Sequence, residues 1–358
     1  MNKHRLIFPA VLIFVVILGL FWWWESEEEK VFSETLFERI QTDLLPEVAL
    51  ETDLEQLIGQ SEAASARAGE GTEIDPPYQG ASFSWYDTTG ARQQLDIKVR
   101  GRGKSRRRIC DFPPMKLNFD KSDLRDMELA PFDKVKLVTH CNGMEDLVLR
   151  EYLAYRLYNE LTEYSFLVQP LKVNYRDSEG KLDPQTYFGL MLEPDDQLAN
   201  RLGGRILPKD PDKLKGISKK HYCLLTLFQY MIGNTDWNLS LLHNIELIAV
   251  DDKAVPVPIP YDFDQSGLVN APYATPYPSL PIGNVRERLF QWRGKNREGL
   301  EEAIAVFLHR KAALFGLVEE VPWLAGESKD DMLQYLQSFY DILENPERLE
   351  KEMSVVIK

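Results

Sequence analysis

Histidine and cysteine are scarce in this chain: its 358 residues include five of the first and three of the second. So few imidazoles leave a histidine-ligated zinc hydrolase short of ligands, and only His243 stands among other polar candidates. There is no Gly-x-Ser-x-Gly and no Cys-His pairing of the kind that serves acyl transfer. Positive charge is in deficit, with 42 Lys and Arg against 56 Asp and Glu, a formal charge of −14 and a pI near 5.0. Phosphate backbones are held by lysine and arginine, so no nucleic-acid partner is expected. Internal repeats are absent, and so are long apolar runs, with one exception. A hydrophobic fraction of 44% nevertheless suffices for a core in a chain of this length.

The exception runs from Leu6 to Trp24, 19 residues with no charge and one proline. At ~1.5 Å rise per residue, such a helix spans a hydrocarbon core. Lys3, His4 and Arg5 precede it and the acids of ESEEEK follow. The positive-inside rule therefore makes residues 1–30 a cytoplasmic stub and transmembrane signal anchor, with the main domain periplasmic or extracellular. Trp22, Trp23 and Trp24 would form an aromatic belt at the outer interface. A cleaved signal peptide is the competing reading; the length of the run and the lack of a small-x-small site speak against it. In an oxidising compartment three cysteines allow one disulfide and leave one thiol. Cys110 precedes one expected strand and Cys141 ends another, which makes them the candidate pair; three buried free thiols are the alternative.

Beyond the anchor, residues 25–45 read as a juxtamembrane helix and PEVAL as a short strand, with Thr52 and Glu55 at capping-box spacing in the turn after it. SEAASARAGEGTEIDPP is small, polar and punctuated, a surface loop. ASFSWY and RQQLDIKVR flank DTTG and alternate apolar with polar residues, a hairpin. MKLNF and VKLVTH continue as strands. Leu149, Leu153, Leu157 and Leu161 recur every four residues, an amphipathic helix between Asp146 and Glu163. FLVQPLKVNYR and YFGLMLE make another hairpin. From Ser218 onward helices dominate: Ser218–Met231, Val285–Trp292, Glu298–Val318 and Lys329–Leu343. HNIELIAV and VPVPIPYDF interrupt them as one hairpin. The class is α+β with two lobes. Residues 31–195 hold the juxtamembrane segment and a mainly β N-lobe with one long helix, and residues 196–358 a mainly helical C-lobe with the inserted hairpin. A ligand belongs in the cleft between them.

Carboxylates and amides stand at the ends of otherwise apolar segments, where burying an unpaired charge is costly. Phosphoryl transfer needs such groups: a carboxylate near the attacking hydroxyl, an amide oxygen and a second carboxylate for a metal, a cation on the phosphates and a covering loop. Asp236, just after a helix, is placed to orient an acceptor hydroxyl, and Asn244 and Asp262, at opposite ends of one hairpin, to converge on a metal. Lys116 in PPMKLNF is placed to reach phosphate, with Glu151 as its partner. Arg102 and Gly103 belong to VRGRGKSRRR, which joins two glycines to a dense basic run between strands, as a phosphate-covering turn would. Taken singly, each has a plainer reading. Asp236 suits a helix-terminating turn, Asp262 and Asp264 a calcium loop or a turn, Lys116 a solvated strand position, Glu151 the first turn of a helix, and the basic run an anion-binding surface. His243 reads as holding its hairpin by a backbone hydrogen bond rather than as a ligand. The order of the parts along the chain favours the kinase reading.

VRGRGKSRRRICDFPPMKLNF, LVLREYLAYRLYNEL, YFGLMLE, IGNTDWNLSLLHNIEL and PYDFDQSG together resemble the spore-coat CotH-type atypical protein kinases and, more distantly, HipA-type kinases, over about residues 45–270. The resemblance implies a bilobal protein-kinase-like fold, ATP with Mg²⁺ or Mn²⁺, and transfer to a protein or other hydroxyl acceptor in a secretory or surface setting. It makes Asp236 the catalytic-loop aspartate, Asn244 its metal asparagine and Asp262 the aspartate of Asp-Phe-Gly. Asp264 replaces that glycine and becomes a second metal ligand. Two departures stand out. Asn244 lies eight residues after Asp236 rather than five, and the basic run exceeds what a nucleotide loop requires. The alternative functions are an inactive kinase-fold surface or assembly protein gripping anionic polymer or lipid headgroups through that run, and a calcium-stabilised binding module.

Overall fold

The computed structural model describes residues 32–68, 74–103, 105–208, 216–250, 255–292 and 297–354. The expected anchor, residues 1–30, lies outside them; among the described residues no helix is long and apolar enough to cross a membrane.

Seven strands close into a barrel: β1 (Glu47–Thr52), β2 (Gln79–Tyr86), β3 (Arg92–Gly101), β4 (Met115–Phe119), β5 (Lys134–Val138), β6 (Val168–Asp177) and β7 (Gln185–Leu192), in the order β1-β2-β3-β4-β5-β7-β6. Neighbours are antiparallel except β6, which closes the barrel parallel to β1 with Val48 opposite Val173 and Leu50 opposite Tyr175. Closure removes the unpaired edges that an open sheet would present. Strand β3 shows why the sequence folds this way: Leu95, Ile97 and Val99 are buried while Gln94, Asp96 and Lys98 between them are exposed, the period of two that sends alternate side chains to opposite faces. Phe83, Leu117, Leu137, Leu171 and Tyr175 complete the interior.

Helix α1 (Leu36–Ile40) begins at a capping box made by Thr35 and Glu38. Helix α2 (Leu54–Arg67) takes in Ser61 to Arg67, the first part of the stretch expected to be a loop. Its small residues, Ser61, Ala64 and Ser65, are buried and let it lie close to the barrel. A Cβ on Gly101 of β3 would sit 2.1 Å from the Ser61 hydroxyl, so that glycine serves packing. Its cap is Asp53, whose carboxylate accepts from the Gln56 amide at 2.8 Å; Thr52 instead donates to the Gly80 carbonyl at 2.7 Å. Short helices α3 (Arg106–Ile109) and α4 (Lys121–Asp126) sit in the loops before and after β4.

Helix α5 (Asp146–Leu161) is buried almost all round from Leu147 to Tyr158, as a helix wedged between two layers must be. It belongs to the core of the second lobe, with α7 (Lys219–Ile232), α8 (Arg297–Glu320) and α9 (Gly326–Leu343). Helices α6 (Asp195–Arg201) and α10 (Pro346–Ser354) and a sheet of β8 (Arg205–Ile206), β9 (Ile245–Ala249) and β10 (Val257–Pro260), in the order β10-β9-β8, complete it. The mixed α+β class is thus present. The lobes join after β7 at Glu193, which is fully buried and takes a bidentate pair from Arg201 at 2.8 and 2.9 Å. One expected helix is missing: Val285–Trp292 is irregular. Arg286 donates to the Gly267 carbonyl and pairs with Asp331, and Arg288 reaches the Met231 carbonyl and Ser338 while both stack on Tyr335. These tertiary anchors outweigh the local helical preference.

Candidate active site

Helix α7 stops where the chemistry begins. Gly233 adopts φ +64, and a Cβ there would meet the Tyr335 hydroxyl at 2.0 Å, so only glycine ends the helix this way. Asn234 then accepts from the Asp236 amide at 2.9 Å and turns the chain into the cleft. Asn238 and His243 exchange backbone hydrogen bonds of 3.1 and 2.9 Å, closing a small loop. That loop absorbs the three extra residues between Asp236 and Asn244. The Asn244 amide nitrogen donates to the Asp236 carbonyl at 2.7 Å and to its carboxylate at 3.1 Å. The eight-residue spacing therefore leaves the two in contact. His243 holds the loop through its backbone, as expected, and its ring also meets Asp236 at 3.0 Å. Tyr277 completes the shell by donating to the same oxygen at 2.9 Å. Burial pushes the Asp236 carboxyl up, but the hydrogen bonds from His243, Tyr277 and Asn244 outweigh it and hold the group below its ordinary value.

Asp262 and Asp264 arrive from the other side. Phe263 between them is fully buried, 4.6 Å from the ring of Tyr155 and 5.5 Å from that of Phe228, and such burial contributes roughly 1.5–3 kcal/mol. With that ring sunk in the core, Asp262 and Asp264 both line the cleft. Tyr155 accepts the Asp262 amide at 2.8 Å, and Tyr273 donates to Asp264 at 3.2 Å. Asn244 and Asp262 have φ of +54 and +63, a conformation uncommon outside glycine and one that clusters at functional sites.

The barrel supplies a cation, though not the one expected. Arg106 on α3 forms an ion pair with Glu151 of α5 at 3.5 Å and donates to the Thr139 carbonyl at 2.6 Å. Burial works against its charge, but Tyr273, Asp264, Glu151 and Asp262 outweigh burial and hold the guanidinium firmly protonated. Lys116 lies on the outward face of β4, opposite Lys136 in the ladder, and does not line the cleft. Glu151 pairs with Arg106, which corrects the expected Lys116–Glu151 pair. Lys136, passed over in the sequence, is bonded to Asp195 at 2.5 Å and lies 4.9 Å from the ring of the cleft residue Tyr261. Three other arginines of the run are tied to neighbouring groups. Arg107 donates to the Gly103 and Ile74 carbonyls, Arg108 to those of Ser65 and Ala68, and Arg100 pairs with Asp75. Gly103 takes φ +82 outside the cleft lining; Arg102 is in it. A disulfide between Cys110 and Cys141 ties the end of α3 to the segment leading into α5, and Cys223 is buried outside any disulfide.

The resulting cleft has a volume of about 1310 Å³ and is lined by Arg102, Arg106, Asp236, Asn244, Asp262 and Asp264, with Tyr222, Trp237, Tyr261 and Trp292 as apolar walls. Ligand pockets typically enclose ~300–1,000 Å³, so this one has room for a nucleotide and part of an acceptor. Among the described residues no three His, Cys, Asp or Glu side chains gather as a metal cage. Two carboxylates and an amide are what a magnesium ion that keeps several waters requires. The electrostatics fit a cation. Burial and then the charge of Asp262 push Asp264 up to about 7; burial, against the pull of Arg106 but with Asp264 and Asp262, pushes Glu151 up to about 8. One Glu151 oxygen is buried with no hydrogen-bond partner among the described residues.

These raised values set a sign. Both carboxyls stay protonated in the folded chain after ionising in the unfolded one at ~4. Their contribution to stability is therefore full below pH ~4 and is lost as pH climbs through about 7 and 8. A bound cation favours the ionised forms. Melting curves with and without Mn²⁺ are expected to separate progressively across that window, with the metal-free chain losing stability; a separation that shrinks as pH rises would contradict the assignment.

No family model and no curated protein matches this chain, so the CotH-type resemblance has no support from a family model. Among solved structures, the crystal structure of a Helicobacter pylori proinflammatory kinase, CtkA, matches over 67% of this chain and 95% of that one, at 11% identity and a TM-score of 0.39. That likeness is too slight to bear on fold or function.

Proposed function

We propose that the chain is a membrane-anchored, extracytoplasmic CotH-like kinase that transfers a phosphoryl group from ATP, with Mg²⁺ or Mn²⁺, to a protein or other hydroxyl acceptor. The observation that carries the reading is the meeting in one cleft of Asp236 and Asn244 from the segment after α7, Asp262 and Asp264 from the end of the β9–β10 hairpin, and Arg102 and Arg106 from the barrel. Asp236, held ionised by its hydrogen bonds, orients the acceptor hydroxyl and takes its proton. Asn244 commits its amide nitrogen to Asp236 and turns its oxygen toward a cation, beside Asp262 and Asp264. Bound there, the metal would neutralise charge on the transferring phosphate. Arg102 and Arg106 face the anionic substrate from the barrel, and Glu151 orients Arg106. The disulfide supports an oxidising compartment, and the apolar segment Leu6 to Trp24 supports anchoring.

The basic run gives little support to an inactive protein gripping anionic polymer, because its arginines Arg106 and Arg107 are buried. In calorimetric titration of the full-length chain, ATP is expected to bind only with a divalent metal present. Absence of binding at millimolar nucleotide and metal rejects the reading.

A further inference from the structure

The segment after Asp264 runs without regular structure to Trp292 and comes back over the cleft. Within it, APYATPYPSLP holds four prolines, which fix the local backbone and deny it helix or strand pairing. Tyr277 lies between Pro276 and Pro278, about half exposed, and a turn closes behind it where the Leu280 amide donates to its carbonyl at 2.9 Å. An exposed phenol on such a loop ordinarily points to solvent. This one reaches into the cleft and donates to Asp236 at 2.9 Å, within the ~2.6–3.2 Å over which a general base takes a proton.

Resting on the kinase reading above, we propose that Tyr277 occupies the acceptor position and is the chain's own phosphorylation site. The Asp236 oxygen that meets Tyr277 is one from which a hydroxyl can be deprotonated; it also meets the His243 ring at 3.0 Å, while Asn244 donates to the other oxygen. In the transfer, the bond between the γ-phosphorus of ATP and the bridging oxygen breaks and ADP leaves. A bond forms from that phosphorus to the phenolic oxygen of Tyr277, and the phenolic proton passes to Asp236 and on to solvent. The product is a phosphotyrosine whose added negative charge cannot stay against the carboxylates of the cleft. The loop is then expelled, and the cleft opens to an outside acceptor. Before transfer the same contact makes Tyr277 a plug. Burial and Asp236 push its hydroxyl up to about 12, in keeping with a phenol that keeps its proton and donates it.

The test uses the full-length chain in detergent with ATP and Mn²⁺, intact mass and peptide mapping, and nucleotide binding measured in the same sample. One phosphate on Tyr277 is expected, at a rate unchanged by dilution, as transfer within one molecule requires. Tyr277→Phe is expected to lose that label while still binding nucleotide, and Asp262→Asn to lose it altogether. Nucleotide binding with no phosphate on Tyr277, or with phosphate on the neighbouring cleft residue Ser279 instead, overturns this inference and leaves the kinase reading standing. Failure to bind nucleotide removes both.

Discussion

Asp262→Asn is expected to abolish metal-dependent phosphoryl transfer while leaving the metal-free chain about as stable as before. Asparagine keeps the shape of the side chain, tolerates the left-handed φ of +63, and leaves the amide contact to Tyr155 untouched. What it removes is one negative charge from a crowded corner. Asp262 raises the carboxyls of both Asp264 and Glu151 but also attracts Arg106, so without a metal neutralising its charge changes stability little. Under the proposed reading, with a metal bound the same charge would be a principal ligand. Loss of a Lewis-acid contribution of several kcal/mol lowers the rate by roughly a thousandfold or more. Transfer assays and thermal melts read the two effects separately. A fall of the melting temperature by more than about 5 °C, equivalent to roughly 3–4 kcal/mol for a chain of this length, would identify a structural aspartate and not a ligand.

Arg106→Ala carries the second large effect, this time on stability. At about pH 9, above the value of about 8 to which Glu151 is pushed, it leaves an ionised Glu151 buried opposite nothing, and removing one partner of a buried ion pair costs about 3–5 kcal/mol. Arg106 and Glu151 are both almost fully buried, so solvent does not screen the loss. Arg106→Lys is not a conservative rescue, because a single ammonium cannot reach both the Thr139 carbonyl and Glu151 in the planar geometry of a guanidinium. Adding Glu151→Gln to Arg106→Ala is expected to return part of the loss, since the orphaned charge goes; the share that stays lost reports the attraction of Arg106 to Asp262 and Asp264. Urea denaturation of the two single variants and the double gives the coupling. A cost for Arg106→Ala below about 1 kcal/mol would mean that water reaches the pair.

The sequence and structure agree most closely where periodicity is strong. The alternation in RQQLDIKVR and the four-residue leucine spacing between Asp146 and Glu163 set β3 and α5 nearly to the residue. The convergence of Asp236, Asn244, Asp262 and Asp264 was legible as an order of parts, because helix ends and hairpin ends are read locally. The basic partner of Glu151 was not. Lys116 and Arg106 are both cations near strand β4, and only the fold decides that α3 points inward while alternation turns Lys116 outward. A local signal did exist: Cys110, four residues after Arg106, is bonded to Cys141, which pins that loop beside α5. Val285–Trp292 failed for the opposite reason, since its apolar spacing is real but Arg286 and Arg288 are held by partners far along the chain. Helix α2 was hidden by small residues that look like a loop until a barrel wall with Gly101 stands against them.

The central claim is that oxygen atoms distant in sequence surround one cation in the cleft between the lobes. A crystal grown with Mn²⁺ and a non-hydrolysable ATP analogue tests it through the anomalous signal of the metal. The account predicts a manganese peak with Asp262 and the amide oxygen of Asn244 as ligands at about 2.1 Å, a distance typical of small hard cations, and with the triphosphate between it and Arg106. Manganese bound elsewhere, with Asp262 and Asn244 uncoordinated and the cleft empty of nucleotide, would contradict it.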